Sequence, residues 1–243
     1  MVPTSRQDVA LSPRRAPSSR RWRGVPRALG AWLADLTSPR VGVEPIASGT
    51  LTKVVGIWAI GRAVNFGLLW MFFEISRLAD LGFGPFGIHV RSFLTFLTGW
   101  DADHCLNIAR TGYPIRLPME EGIVQTNDWA FLPVLPFLER VGSDLTGVNE
   151  GIIGVIVSIA ASLGATLVLF LLLRRVTTPQ ASWWGIVLFT FAPLSFVYVL
   201  AYAESLFLLL VFTALLLAIK RQYLLILPVG VLAAYTRPGV LAL

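Results

Sequence analysis

Gly151 to Leu173 is an apolar run of twenty-three residues without a charged side chain, bounded by Glu150 and by Arg174-Arg175. A helix needs about 20 such residues to cross a bilayer. Inside lipid the backbone must satisfy its own hydrogen bonds, so a single run of this kind can only be a helix. Similar runs recur over 54–73, 181–200 and 203–219, and another begins at 222 and continues toward 243. The chain as a whole is 55% hydrophobic and 14% charged, with a mean hydropathy of +0.70. Soluble domains carry about 25% charged residues. The expected fold is therefore all-α: a polytopic transmembrane helical protein with about five spans.

The charges fix the expected orientation. Eight arginines fall in the first 50 residues, against Asp8, Asp35 and Glu44. The pI near 10.1 thus comes largely from a basic tail beside the first span. Such a tail reads as a cytoplasmic topology signal and not as a nucleic-acid surface. Residues 1–50 are expected to be disordered, apart from a short amphipathic helix near Ala28–Leu36. Contact of the tail with anionic headgroups is the less plain reading. With the tail inside, span one exits and span two returns to Arg174-Arg175. Span three exits, and span four returns to Lys220-Arg221. Both basic pairs then lie inside, as the positive-inside rule asks. The loop 74–150, the "YAES" stretch ending at Ser205 and the "TRPG" stretch ending at Gly239 all fall on the outer side. No cleavable signal peptide is expected, so span one serves as an uncleaved anchor. The one cysteine, Cys105, leaves no intrachain disulfide to form. The chain stops within an apolar run, which reads as a piece of a longer protein.

The 74–150 loop holds ten acidic and five basic residues. Ile88, Val90, Phe93, Leu94, Phe96 and Leu97 share one helical face, the pattern of an interfacial amphipathic helix. "WAFLPVLPFL", Trp129 to Leu138, is too short to span and carries Pro133 and Pro136. It is expected to be re-entrant, interfacial or the lead-in to span two.

Within the loop, "TGWDADHCLNIARTGYP" concentrates the polar chemistry. Asp101 suits a helix N-cap, and Gly112 with Pro114 suits a helix stop. One short helix is expected between them, with Asp101, His104 and Cys105 on one face and Asp103 pointing elsewhere. A cap alone would explain Asp101 but not Asp103 or His104 beside a membrane. Three readings stay open. A carboxylate at a lipid interface can act as general base. An Asp-x-Asp pair with His104 can hold a divalent cation. Acidic groups in a membrane protein can also serve an ion or proton path.

"WDADHCLNIARTGY" resembles the Trp-Asp-x-x-His-(aromatic)-x-x-Ile-Ala-x-x-Gly-Tyr signature of the second mannosyltransferase of the GPI-anchor pathway and its bacterial relatives. "WAFLPVLP" (129–136), "YAESLFLLLVFTALLLA" and "YLLILPVGVLAAYTRPGVL" resemble three further elements of that family, in the same order. The likeness runs from about Phe96 to Leu241. Cys105 stands where the family has an aromatic, Leu132 replaces a Phe, and Gly239 follows Pro238 without the usual intervening Asn. The resemblance implies a GT-C class transferase of many spans. Such enzymes use a lipid-phosphate sugar on the outer side, with an essential acidic residue in the first large outer loop.

On that footing an acceptor hydroxyl attacks C1 of polyprenyl-phosphate mannose, and Asp101 takes its proton. Asp103 is the second candidate for the base, and His104 orients Asp101 or the acceptor. Arg237 meets the departing phosphate, while Glu204 and Tyr202 line the same cavity. Trp100 is counted with the substrate-binding residues, although an interfacial anchor is its plainer role, as for Tyr113. Arg237 could equally snorkel to headgroups, and Glu204 could be a solvated loop-end residue. Arg62, well inside span one, should face the bundle as an ion pair or a site residue. No cofactor is firmly implied, a divalent cation being one option. The expected partners are the lipid-linked donor, a glycolipid or glycan acceptor, and membrane lipids. Eighteen arginines against two lysines suggest GC-rich coding, hence a bacterial plasma membrane and a cell-envelope acceptor. The competing class is non-catalytic: a scaffold subunit or a transporter. A transporter would favour polar groups at the midplane and paired halves, which the sequence does not present.

Overall fold

The computed structural model describes residues 46–82 and 92–239. The basic tail up to residue 45, its expected helix at Ala28–Leu36 and the first part of the expected interfacial helix lie outside the described residues. The elements run α1 (Thr50–Leu78), α2 (Phe93–Leu97), α3 (Asp101–Thr111), β1 (Met119–Glu120), β2 (Ile123–Val124) and α4 (Val134–Thr146). They continue with α5 (Glu150–Val176), α6 (Pro179–Phe191), α7 (Glu204–Ile219) and α8 (Tyr223–Ala234). Single 3₁₀ turns cover Asp128–Ala130 and Pro193–Val199. The protein is all-α but for the antiparallel ribbon of β1 and β2, in which Met119 faces Val124.

Among the described residues α1 and α5 are long and apolar enough to cross a membrane, and α6 with its 3₁₀ continuation would make a third span. Their surfaces invert the pattern of a soluble protein. On α1 the apolar Ile60, Val64, Leu68, Trp70, Met71 and Phe72 are exposed, while Arg62 and Asn65 are buried with Val54, Leu69 and Phe73. Apolar outside and polar inside is what a bilayer solvent selects. Helix α5 buries small residues instead: Gly154, Ser158, Ala161, Ser162 and Ala165. At those positions the backbones can come close, which replaces the hydrophobic drive that lipid removes, while Ile153, Val155, Phe170 and Leu172 fill the rest of the buried face. There Ser158 and Ser205 share a hydrogen bond at 3.1 Å, and Trp58 donates to Ser162 at 2.9 Å. Helices α7 and α8 are apolar and only 16 and 12 residues long.

The stretch 181–200 is not one straight helix, as the apolar run suggested. It breaks at Ala192, and the 3₁₀ piece leaves at 70° to α6. Pro193 has no N–H to continue the ladder, so carbonyls at the end of α6 need other donors. Arg62 supplies them. Its guanidinium donates to the Thr190 carbonyl at 3.1 Å and the Ser195 carbonyl at 3.0 Å. It also lies 5.1 Å from the centre of the Tyr198 ring. Asn65 adds a bond to the Ser195 hydroxyl at 3.0 Å. Arg62 is thus a backbone-capping residue rather than half of an ion pair.

Beyond the break the chain turns under the stretch between α1 and α5. Ala201 donates its N–H to the Leu97 carbonyl at 3.1 Å. Leu69, Phe73, Phe96, Leu97, Ala102, Val155, Val199, Leu200 and Ala201 form one buried cluster there. It packs α1, α2, α3, α5 and the 3₁₀ piece together directly beneath the polar stretch that starts at Asp101.

The "WAFLPVLPFL" stretch resolves into the 3₁₀ turn and the start of α4, a lead-in to α5. Pro133 is the N-cap of α4 and Pro136 lies in its first turn, where backbone N–H groups have no intrahelical partner in any case. Helix α4 buries Glu139 fully against α5. Neither carboxylate oxygen has a hydrogen-bond partner. Gly154 makes room for it, since a Cβ at that position would lie 2.4 Å from Oε1. Burial pushes the Glu139 carboxyl up to about 8, against the pull of Arg110 and with help from Glu150.

Two predictions follow from this packing. A Cβ on Gly61 would lie 2.1 Å from Thr190 Cγ2. Gly61→Ala should therefore destabilise the detergent-solubilised protein by about 1–3 kcal/mol, and Thr190→Ala in the same chain should recover part of that loss. Thermal unfolding of the single and double variants measures the coupling. For Glu139 the folded protein holds the proton more tightly than the unfolded chain, so its burial costs stability as pH rises from the ordinary carboxylate range toward 8. Glu139→Gln should raise the unfolding temperature by several degrees at pH 8.5 and by less at pH 5.

Candidate functional site

The site begins at a backbone corner. Trp100 sits at φ 54°, ψ −120°, and the Ala102 N–H bonds back to the Gly99 carbonyl at 3.3 Å. These angles describe a type II′ turn with tryptophan at the corner that glycine usually takes. A bulky residue held there costs on the order of 1–3 kcal/mol. The buried cluster under Leu97 and Ala102 holds both ends of the turn in place. Its consequence is the abrupt start of α3, with Asp101 as its first residue. Asp101 was expected to cap the helix. The capping position is Trp100 and no side chain caps the N-terminus, which leaves the Asp101 carboxylate free of that duty.

Asp101 and Cys105, one turn apart on α3, line a cavity of about 130 Å³. Its other walls are Ala130, Phe131 and Leu132, then Tyr202, Ala203 and Glu204, then Thr236, Arg237 and Pro238. Each wall is fixed by backbone. The Tyr113 hydroxyl donates to the Phe131 carbonyl at 2.8 Å. The Trp129 indole donates to the Pro114 carbonyl at 2.9 Å and stacks on Tyr113. These contacts fold the loop back so that residues 130–132 reach the cavity. The Val134 N–H donates to the Tyr235 carbonyl at 3.2 Å, tying the start of α4 to the end of α8. Tyr202 reaches the Gly99 carbonyl at 3.4 Å.

The charges are few. Arg237 and Glu204 form an ion pair in the wall. The Asp101 side chain has no hydrogen-bond or ion-pair partner among the described residues and is exposed. Burial pushes the Cys105 thiol up to about 12, with Glu139 and Asp101 adding to it. Burial, then the Asp101 charge, likewise holds the Tyr202 phenol up at about 12. Both are neutral near pH 7. The arrangement offers one unencumbered carboxylate, one guanidinium and one phenol around a small, otherwise apolar hollow.

His104 does not line the cavity with Asp101. Its Nδ1 is 2.7 Å from Asp128 Oδ1, and its ring stacks on Phe131, 4.5 Å between centroids. A carboxylate can only accept, so Nδ1 carries the hydrogen of this contact. Asp103 is exposed and outside the cavity lining, so the two carboxylates of the Asp-x-Asp spacing do not share it. Among the described residues no three His, Cys, Asp or Glu side chains gather as a metal-ligand set. Trp100 is half exposed. The site residues that sequence reasoning missed are Asp128 and Phe131, while Cys105 lines the cavity on the helix face it was expected to share with Asp101. The Asn127 side chain accepts the Trp129 N–H at 3.0 Å, and "ND" before the aromatic is the only local sign that Asp128 sits on a built turn.

No solved structure matches the chain. The chain is 29% identical over 152 residues to GPI alpha-1,6-mannosyltransferase 2 of Homo sapiens, which covers 58% of this chain and 28% of that relative. It therefore spans a little over a quarter of the length of the curated relative. Residues 86–229 match the family described as Mannosyltransferase (PIG-V). That match takes in α2 through most of α8, including Asp101, His104, Asp128 and Glu204, and it covers more than half of the chain: the protein belongs to the mannosyltransferase (PIG-V) family.

Proposed function

We propose that the protein is a membrane-embedded mannosyltransferase that moves mannose from a polyprenyl-phosphate donor to a glycolipid or glycan acceptor on the extracytoplasmic face. The observation that carries the reading is the cavity with Asp101 on one wall and Arg237 on another. A transfer of this kind needs a base for the incoming hydroxyl and a cation for the departing phosphate, both facing one hollow. The acceptor oxygen bonds to C1 of the sugar as the C1–O bond to phosphate breaks. Asp101 takes the hydroxyl proton, and the electron pair leaves on the phosphate beside Arg237. The Asp128 carboxylate holds the His104 ring by its Nδ1–H and so orients it for the acceptor or its water. Tyr202, a neutral phenol whose proton goes to the Gly99 carbonyl, offers its oxygen as acceptor to a sugar hydroxyl. Trp100 anchors the turn at the headgroup level, and Asp103 is the second candidate for the base. The N-terminal tail is cytoplasmic and five helices span, α7 and α8 among them, in a bacterial plasma membrane.

The test is transfer of label from radioactive polyprenyl-phosphate mannose into a membrane lipid extract by the purified chain in nanodiscs. Asp101→Ala should lower transfer by about 10²–10⁴-fold with its unfolding temperature unchanged, and Asp128→Asn should lower it less. Full loss on Asp103→Ala with activity retained in Asp101→Ala would move the base to Asp103. No transfer by the folded parent over a range of acceptors would favour a scaffold or transporter.

A further inference from the structure

The Arg237–Glu204 pair raises a question that the proposed reaction leaves open. The cation that should meet the donor's phosphate already has an anion on it. Glu204 is the first residue of α7, and Arg237 lies in the turn after α8. Both side chains line the cavity and stay partly open to it, 26% exposed for Glu204 and 38% for Arg237.

Neither position depends on the pair. The start of α7 is pinned by the Ser158–Ser205 bond and by the Phe207 N–H on the Ala203 carbonyl. The Arg237 N–H bonds the Ala233 carbonyl at 3.1 Å, and the neighbouring Tyr235 carbonyl accepts from Val134. Arg237 uses one terminal nitrogen on Glu204, while a guanidinium carries five N–H donors in a fixed fork. Its remaining donors have no partner among the described residues.

The charge balance is also uneven. Two carboxylates, Asp101 and Glu204, share the lining with one cation. A phosphodiester brought in beside them would face two anions if Glu204 kept its place. Like charges at such range disfavour one another strongly when partly desolvated.

Resting on the lipid-phosphate donor reading, we propose that Glu204 is a placeholder for phosphate: it neutralises Arg237 in the empty cavity, yields it to the phosphodiester of the donor, and competes for it again when polyprenyl phosphate must leave. The product is a phosphomonoester with more negative charge than the donor and would hold Arg237 harder. A carboxylate that returns to Arg237 offsets that grip and speeds release. The group that occupies the site is a phosphate ester of a polyprenyl chain, and bulk anionic lipid is the alternative source of the same chemistry.

The experiment is equilibrium binding of polyprenyl phosphate to the full chain in phosphatidylcholine nanodiscs, with phosphatidylglycerol as competitor. The parent, Glu204→Gln, Glu204→Asp and Arg237→Gln are compared. Removing the competing charge should tighten binding by about fivefold in Glu204→Gln, the equivalent of one partly exposed ion pair. Glu204→Asp keeps the charge and should stay near the parent, while Arg237→Gln should lose binding. In turnover Glu204→Gln should show a lower KM for donor together with a lower kcat, because product leaves slowly. Weaker or unchanged binding in Glu204→Gln, with the parent binding normally, overturns the exchange and leaves the donor reading standing. It would mean that Glu204 only holds Arg237 in position. Binding by neither the parent nor Glu204→Gln overturns both. Equal displacement by phosphatidylglycerol overturns the assignment to the donor's phosphate.

Discussion

Everything around the cavity depends on the hydrogen bonds that Arg62 gives to two backbone carbonyls. A helix broken inside a bilayer exposes polar backbone where no water can reach it. The guanidinium of Arg62, buried on α1, meets that demand from the side. Because the break is tolerated, the chain can leave α6 at 70° and run beneath the stretch between α1 and α5 instead of continuing in line. That detour carries Ala201 onto Leu97 and sets Tyr202 and Glu204 in the cavity wall. A charge that looks costly in an apolar helix thus caps the backbone where the chain breaks from α6 into the 3₁₀ piece.

The same logic recurs at smaller scale. The turn at Trp100 is unfavourable in itself, and the apolar cluster beneath it makes up the difference by burying both flanks. Glu139 is the counterpart in polar terms: a carboxyl with no hydrogen-bond partner, accommodated because Gly154 leaves space for it. Strained or desolvated groups of this sort persist where the surrounding structure over-determines them. Here they lie near the cavity whose lining holds both the Asp101 carboxylate and the Arg237 guanidinium.

Much of this was legible in the residues. The apolar runs marked the helices, since Gly151–Leu173 can be little else and α5 covers it. The alternation of apolar runs and basic pairs put Tyr202, Glu204 and Arg237 on the side of the loop that holds Asp101. The family resemblance grouped the four around one cavity, and the structure lines one cavity with them. What the sequence hid were effects of tertiary position. Hydropathy does not register a missing backbone donor, so the run 181–200 looked continuous although Pro193 divides it. The helical spacing put His104 on the face of Asp101, but Asp128 and Phe131 turn its ring toward the folded-back loop. Glu139 looked like any acidic residue of a solvated helix, and only the packing of α4 on α5 reveals it as buried.

The cavity has a further consequence for the order in which the protein is made. Its walls come from residues near 101, 131, 203 and 237, so a nascent chain acquires them one after another during synthesis. Chains commonly fold from the N-terminus as they emerge, and α1 to α4 can collect around their apolar cluster only in part, because Val199, Leu200 and Ala201 belong to it. Until Arg237 arrives, Asp101 and Glu204 are two carboxylates beside a hollow without a cation. A partly translated chain therefore holds both carboxylates of the lining before the guanidinium that balances them.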